Sequence, residues 1–263
     1  MRALKSSLFS LALLSSAPAD PGQLLTFPVG PGRPPSVSGS IDYRLQYDKE
    51  KFFVYRPSTY TNSETWGLIV YISPGDNCQG VPAGWDGVLK ANKLLFIAPQ
   101  GAGNGCEMRR RLGLGVMAAL EMTQTHKIDP ERIYAAGLSG GARTAGQLGF
   151  HQSDLFRGTI QNCGADFYKP VPVVKANNFT DSNGNRNYGV FKAGTREIDI
   201  ARRNGKFVFI TGPGDFRYGN INDIYEGGYK PDGFTCKLID VPGMGHEDCK
   251  PSALQQALDF LKT

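Results

Sequence analysis

One stretch constrains this chain more than any other. Arg132-Ile133-Tyr134-Ala135-Ala136 is a short apolar run, Gly137-Leu138-Ser139-Gly140-Gly141 follows at once, and helical spacing begins at Ala142 and lasts to about His151. A strand that enters a helix with no linker must turn sharply, and the glycines remove side chains that would collide with strand and helix. Ser139 is then lifted above the carboxyl end of the strand. It sits at a helix N-terminus, where negative charge is favoured. A phosphate-binding glycine turn is the plainer reading, but the phosphate-loop and dinucleotide spacings are missing.

The rest of the chain repeats the strand-then-helix alternation. Phe52–Tyr55, Leu68–Ile72, Leu94–Ala98, Gly158–Ile160, Phe207–Ile210 and Cys236–Val241 read as strands. Several of them are apolar on both faces, as central parallel strands are. Leu112–Thr125, Thr195–Arg203 and Pro251–Leu261 read as helices, the last with Pro in its first turn. The pattern predicts an α/β fold, with a mostly parallel central sheet flanked by helices on both faces. Residues 165–194 break the alternation. They are rich in Asn, Gly, Pro and Lys, and a connection this long is functional or mobile.

At 263 residues, 40% hydrophobic and 20% charged, the chain can bury one large core. Residues 1–19 read as a signal peptide: Arg2 and Lys5 precede the apolar run Leu8–Leu14, and Ala17-Pro18-Ala19 is a small-x-small cleavage site. That run is far shorter than the ~20 residues of a spanning helix, so no membrane span is expected. Residues 20–40 read as an extended leader, and 41–263 as a single α/β domain with a long connection at 165–194, secreted or periplasmic. Without Arg2 and Lys5 the chain keeps 27 basic and 24 acidic residues, too even a balance to argue for nucleic acid. The one basic run, Arg109-Arg110-Arg111, reads as a solvated helix start.

Export permits disulfides. The five cysteines leave one unpaired, and Cys163 in its apolar surroundings is the expected buried thiol. Cys78 with Cys106 and Cys236 with Cys249 are then the plausible pairs, although sequence alone does not fix connectivity.

A serine hydroxyl needs a base to become a nucleophile. Of the three histidines, His126 precedes the strand that leads to Ser139, and His151 closes the helix after it. Only His246, in the loop after the last strand, lies where ligands meet open α/β sheets. An acid must orient that base, and the order serine, acid, histidine places it after the penultimate strand. Asp215 stands there, Asp223 is the alternative further along, and Asp240 lies within the last strand. Two N–H donors must receive the oxyanion. Gly140 supplies one; the other is assigned to Asp76, with Asn77 as its alternative.

Val70–Gly80, Phe96–Asn104, Arg132–Arg143 and Phe207–Leu261 resemble the α/β-hydrolases grouped with poly(3-hydroxybutyrate) depolymerases and feruloyl or acetyl-xylan esterases. Ile128-Asp129-Pro130-Glu131-Arg132-Ile133-Tyr134 and Ala98-Pro99-Gln100-Gly101 are similar to segments common in that group, and the likeness spans about residues 50–261. It implies the α/β-hydrolase fold without a large cap domain, a triad of Ser139, Asp215 and His246, and no metal or organic cofactor. Many relatives carry His-Gly where this chain has Pro74-Gly75, and residues 165–194 have no counterpart. The implied activity is a serine carboxylesterase that cleaves an ester, polymeric or plant-derived, through an acyl-serine. The alternatives are a non-catalytic binding or signalling protein on a degenerate hydrolase fold, and a serine peptidase. Tyr168, Phe179, Tyr188 and Phe191 are equally placed to wall a pocket or to anchor the long connection, and Tyr218 and Tyr225 are candidates for a polymer surface.

Overall fold

The computed structural model describes residues 23–26, 45–46, 49–172, 185–186 and 193–263. The expected signal peptide and most of the leader lie outside them, as do Phe179, Tyr188 and Phe191. The elements in chain order are β1 (Gln23–Thr26), β2 (Lys51–Tyr55), β3 (Trp66–Ile72), α1 (Trp85–Ala91), β4 (Leu94–Pro99), α2 (Met108–Thr125), β5 (Ile128–Leu138) and α3 (Gly140–His151). After these come β6 (Gly158–Asn162), β7 (Val171–Pro172), β8 (Asn185–Arg186), α4 (Thr195–Asn204), β9 (Lys206–Thr211), α5 (Tyr218–Ile224), a π-helical turn (Tyr225–Tyr229), β10 (Thr235–Asp240) and α6 (Pro251–Lys262).

Eight strands form one sheet in the order β1-β2-β4-β3-β5-β6-β9-β10. The first two pairings, β1 with β2 and β2 with β4, are antiparallel, and from β4 to β10 every pairing is parallel. The expected mostly parallel α/β sheet is therefore present.

Strand parity sorts the core. Phe52, Val54, Leu68, Val70, Leu95 and Ile97 face α2 and α3 on one side. Phe53, Ile69, Phe96, Val208 and Ile210 pack with α1 and α6 on the other. Phe207 and Phe209 lie on the first side further along the sheet, in an aromatic cluster with Phe150, Phe167, Tyr229 and Phe234. Helices thus cover both faces, as continuous apolar strands require.

The long connection begins as part of this core. Phe167 is fully buried, and Tyr168 packs on Phe150 and donates its hydroxyl to Asp232. Tyr168 is therefore an anchor, not a pocket wall. Within the segment β7 and β8 pair as a small antiparallel ribbon.

The disulfide expectation is overturned, because all five cysteines are free thiols. Cys236 packs with the aromatic cluster beside Leu238, whereas Cys249 is buried under α1 and α6 on the opposite face. Cys78 is enclosed with that second cluster, its thiol donating to Gly80 O, while Cys106 is half-buried and donates to the Glu107 carbonyl. Cys163 is the buried free thiol that was expected.

Candidate active site

The turn between β5 and α3 is as tight as the glycine pattern requires. Ser139 adopts φ 56°, ψ −117°, in the left-handed region that non-glycine residues seldom enter. A Cβ on Gly137 would stand 2.5 Å from the backbone of Gly141, and one on Gly141 would stand 1.8 Å from Ile72 O. Strand, turn and helix touch backbone to backbone, so these positions admit only glycine. Gly140 opens α3, and first-turn N–H groups of a helix lack internal acceptors.

The tripeptide Asn162-Cys163-Gly164, at the carboxyl end of β6, connects Ser139 to the other candidate groups. Ser139 N donates to Asn162 O at 2.9 Å, and a Cβ on Gly164 would meet Ser139 O at 2.2 Å. Cys163 N donates to Ile210 O in β9, which leads to Asp215. The Cys163 Sγ lies 3.3 Å from Gly245 O and 3.4 Å from Glu247 O, the carbonyls on either side of His246. Burial, then the charge of Asp215, pushes this thiol up, so it stays protonated and donates.

His246 Nδ1 lies 2.7 Å from Asp215 Oδ1. The Asp215 carboxylate is fully enclosed and receives Thr211 Oγ1–H at 2.8 Å and Arg217 N–H at 3.0 Å. Of the three acids considered, Asp215 is the one that meets the histidine; Asp240 ends β10 and accepts the Tyr218 hydroxyl. Asp223 lies inside α5, buried, and is not bonded to His246. Ser139 and His246 are not hydrogen-bonded to each other in this structure. Phe216, 59% exposed, stacks over the His246 ring at 4.1 Å between centroids.

The loop carrying His246 is held along its length. Met244 O accepts Gly214 N, Asp248 accepts the Tyr71 hydroxyl at 2.9 and 3.0 Å, and Cys249 O accepts Trp85 Nε1 at 2.8 Å. Burial raises Asp248 to about 6, against the lowering effect of the Tyr71 bond.

The other two histidines are placed as expected. His126 follows α2 and accepts Arg56 Nε–H through Nε2 at 2.9 Å; burial, with Arg56, lowers it to about 4. His151 ends α3, buried.

Asp76 lies in the turn after β3, its carbonyl accepting Gly101 N and its Oδ1 accepting Gly103 N. Its own N–H has no acceptor among the described residues. Against the solvated reading of the basic run, Arg111 is 3% exposed. Its Nε donates to Ala102 O at 2.7 Å and its Nη2 to Ser73 O at 3.3 Å, and burial lowers it to about 10. Arg110, by contrast, reaches Glu50 with two parallel bonds. Sequence reasoning missed Arg111, although helical periodicity carried the signal: Met108, Arg111, Leu112 and Gly115 share one buried face. One turn into α3, Arg143 pairs with fully buried Asp166 at 2.9 Å, yet burial still raises that carboxyl to about 7.

Chemically, the site offers a serine hydroxyl, an imidazole fixed by a carboxylate, and N–H groups at a helix start. One Sγ, one carboxylate oxygen and one imidazole nitrogen of Cys163, Asp215 and His246 lie within 4.8 Å of one another, a donor set of the type that binds soft cations. In this structure those atoms are engaged in hydrogen bonds within the protein.

Neither a protein-family model nor a curated protein matches the sequence. Solved structures do match. A ferulic acid esterase superposes with a TM-score of 0.61 at 16% identity, over 92% of this chain and 97% of that one. An esterase from Thermogutta terrifontis superposes with a TM-score of 0.53 at 15% identity, over 84% and 88%. The chain has the α/β-hydrolase fold. Dipeptidyl peptidase 4 from Porphyromonas gingivalis contains the same fold (TM-score 0.55, 14% identity), this chain spanning 33% of its length. Within this fold Ser139 stands at the carboxyl edge of the parallel strands, where ligands meet such sheets. No described helix is long and apolar enough to cross a membrane.

Proposed function

We propose that this α/β-hydrolase is a secreted serine esterase that cleaves carboxylic esters through an acyl-serine. The observation that carries the reading is the Asp215–His246 pair, joined to the strained Ser139 by the 162–164 bridge. His246 takes the Ser139 proton as Oγ bonds to the ester carbonyl carbon. Asp215 holds the imidazole in the tautomer that accepts at Nε2 and stabilises its charged form. The tetrahedral oxyanion is received by the N–H groups of Gly140 and Asp76. His246 then protonates the leaving alkoxide. A water, deprotonated by the same imidazole, releases the acid and restores Ser139.

Support for an ester over a peptide comes from the ferulic acid esterase, which matches along nearly its whole length, whereas the peptidase match covers a third of that chain. Export rests on residues 1–19, and a polymeric or plant-derived ester is the substrate class to test. Turnover of p-nitrophenyl acetate and butyrate, lost in Ser139→Ala, is the expected result, together with labelling of Ser139 by a fluorophosphonate. Comparison of acetyl, butyryl, feruloyl and oligomeric hydroxybutyrate esters ranks the substrates. Equal inertness of wild type and mutant would sink the enzyme reading and favour a binding protein. Cleavage of a peptide amide without ester turnover would favour the peptidase.

A further inference from the structure

Arg111 is a buried cation whose direct contacts are all with uncharged groups. Two arms of its guanidinium are taken by the carbonyls of Ala102 and Ser73. The third, Nη1, lies 3.3 Å from where a Cβ on Gly140 would stand, a point that the Asn104 side chain also approaches. Among the described residues Arg111 forms no ion pair; Cys106, then Asp166 and Asp76, act on it without a hydrogen bond, and Arg143 opposes them. At about 10 it remains charged at neutral pH.

The position makes this charge costly. Gly140 is the first residue of α3, where the helix dipole is already positive. A second positive charge there is repelled by the dipole, and burial removes the water that would otherwise solvate it. Arg143, one turn further on, is offset by its own carboxylate partner Asp166. Negative charge arriving beside Gly140 would offset that cost, and an oxyanion on Ser139 is such a charge. Because the two carbonyl clamps fix the guanidinium in advance, no reorganisation is needed when that charge develops.

We infer that Arg111 is the fixed cation of this site, stabilising the negative charge that forms on the carbonyl oxygen of a substrate bonded to Ser139. The inference rests on the ester-hydrolase reading and deepens it. It assigns to a side chain part of the work that backbone N–H groups at Gly140 and Asp76 would otherwise do alone.

The test compares wild type with Arg111→Met and Arg111→Lys in the full-length chain. The probe is phenylboronic acid, whose boron accepts Ser139 Oγ while His246 takes the proton, giving a tetrahedral boronate anion in place of the oxyanion. In Arg111→Met the boronate Kd should weaken, and kcat on p-nitrophenyl acetate should fall, each by about a hundredfold. KM should stay close to wild type, because the neutral ester carries no charge to lose. Arg111→Lys keeps the cation and should recover most of both losses. Arg111→Met leaves the Ser73 and Ala102 carbonyls unpaired and should melt lower, so the separation from a purely structural clamp rests on the unchanged KM and on Arg111→Lys, which restores the charge without restoring the fork. The inference is overturned if Arg111→Met binds boronate and turns over ester as wild type does. It is also overturned if the Lys variant is as impaired as the Met variant while both melt lower. If the wild-type protein neither hydrolyses esters nor binds boronate, the esterase reading fails and this one falls with it.

Discussion

The thiol of Cys163 lies 3.3 Å from the carbonyl oxygen of Gly245, the residue that precedes His246. It is also 3.4 Å from the Glu247 carbonyl, so one side chain steadies the backbone on both sides of the imidazole. Cys163→Ala should lower kcat by about ten- to a hundredfold, since small misplacements of a reacting group carry penalties of that order. KM should hardly move, and Cys163→Ser, which keeps a donor, should retain most of the activity. Loss of the His246 Nδ1–H proton resonance in the Ala variant alone would report the same displacement without turnover.

Asp215 and Asp223 give a direct contrast. Asp215 is bonded to His246, to Thr211 and to a backbone N–H, whereas Asp223 is buried within α5. Asp215→Asn should reduce kcat by about 10⁴-fold, the loss expected when the histidine is left in the wrong tautomer. Asp223→Asn should leave kcat unchanged. Steady-state kinetics on one chromogenic ester decides it, and a large loss in the second variant alone would reverse the assignment.

Two buried groups should bend the pH dependence of stability in opposite directions. His126 is lowered from 6.5 to about 4 by burial, then Arg56, so the native state binds its proton less readily than the unfolded chain. Its contribution is present above pH 6.5 and is lost as pH falls through about 4. Asp248 is raised from 3.8 to about 6 by burial, so its contribution is present below 3.8 and is lost as pH rises through about 6. Denaturant unfolding between pH 7 and 4 should therefore show a shallower acid loss in His126→Gln than in wild type. Asp248→Asn should instead show a steeper acid loss than wild type over the same range, because the contribution that opposes His126 is gone.

Phe216 is the large hydrophobic side chain left exposed among the described residues, and it covers the His246 ring. An aromatic acyl or alcohol group entering the site would pack against it. Phe216→Ala should raise KM for a feruloyl ester by about three- to tenfold, the worth of one aromatic contact. KM for an acetyl ester should change less. Equal effects on both substrates would show that the ring serves only to shield the imidazole.

The sheet was legible in the sequence because its strands are uniform. Leu68–Ile72 and Leu94–Ala98 are apolar on both faces, and only central parallel strands need that. Ser139 was legible because the glycines at 137 and 141 answer to backbone contacts that no side chain survives. Helix α1 was not, because its seven residues bury only Trp85 and Leu89 and no periodicity is visible over so short a span. The disulfide expectation failed because pairing by order along the chain ignores strand parity: Cys236 points to the aromatic face, and Cys249 follows the strand onto the other. Arg111 was read by its company, a run of three arginines, when its place on the helix put it inside.

The bridge at 162–164 has a consequence for how the protein should fail on heating. Loops that carry reactive groups are usually the first parts of a fold to fray. Here the loop bearing His246, the strand leading to Asp215 and the turn holding Ser139 are all fastened to the end of β6, a strand paired on both sides. That end cannot open without breaking the middle of the sheet. The reactive geometry should therefore persist up to the global melting transition and vanish with it, with no inactive but folded state on the way.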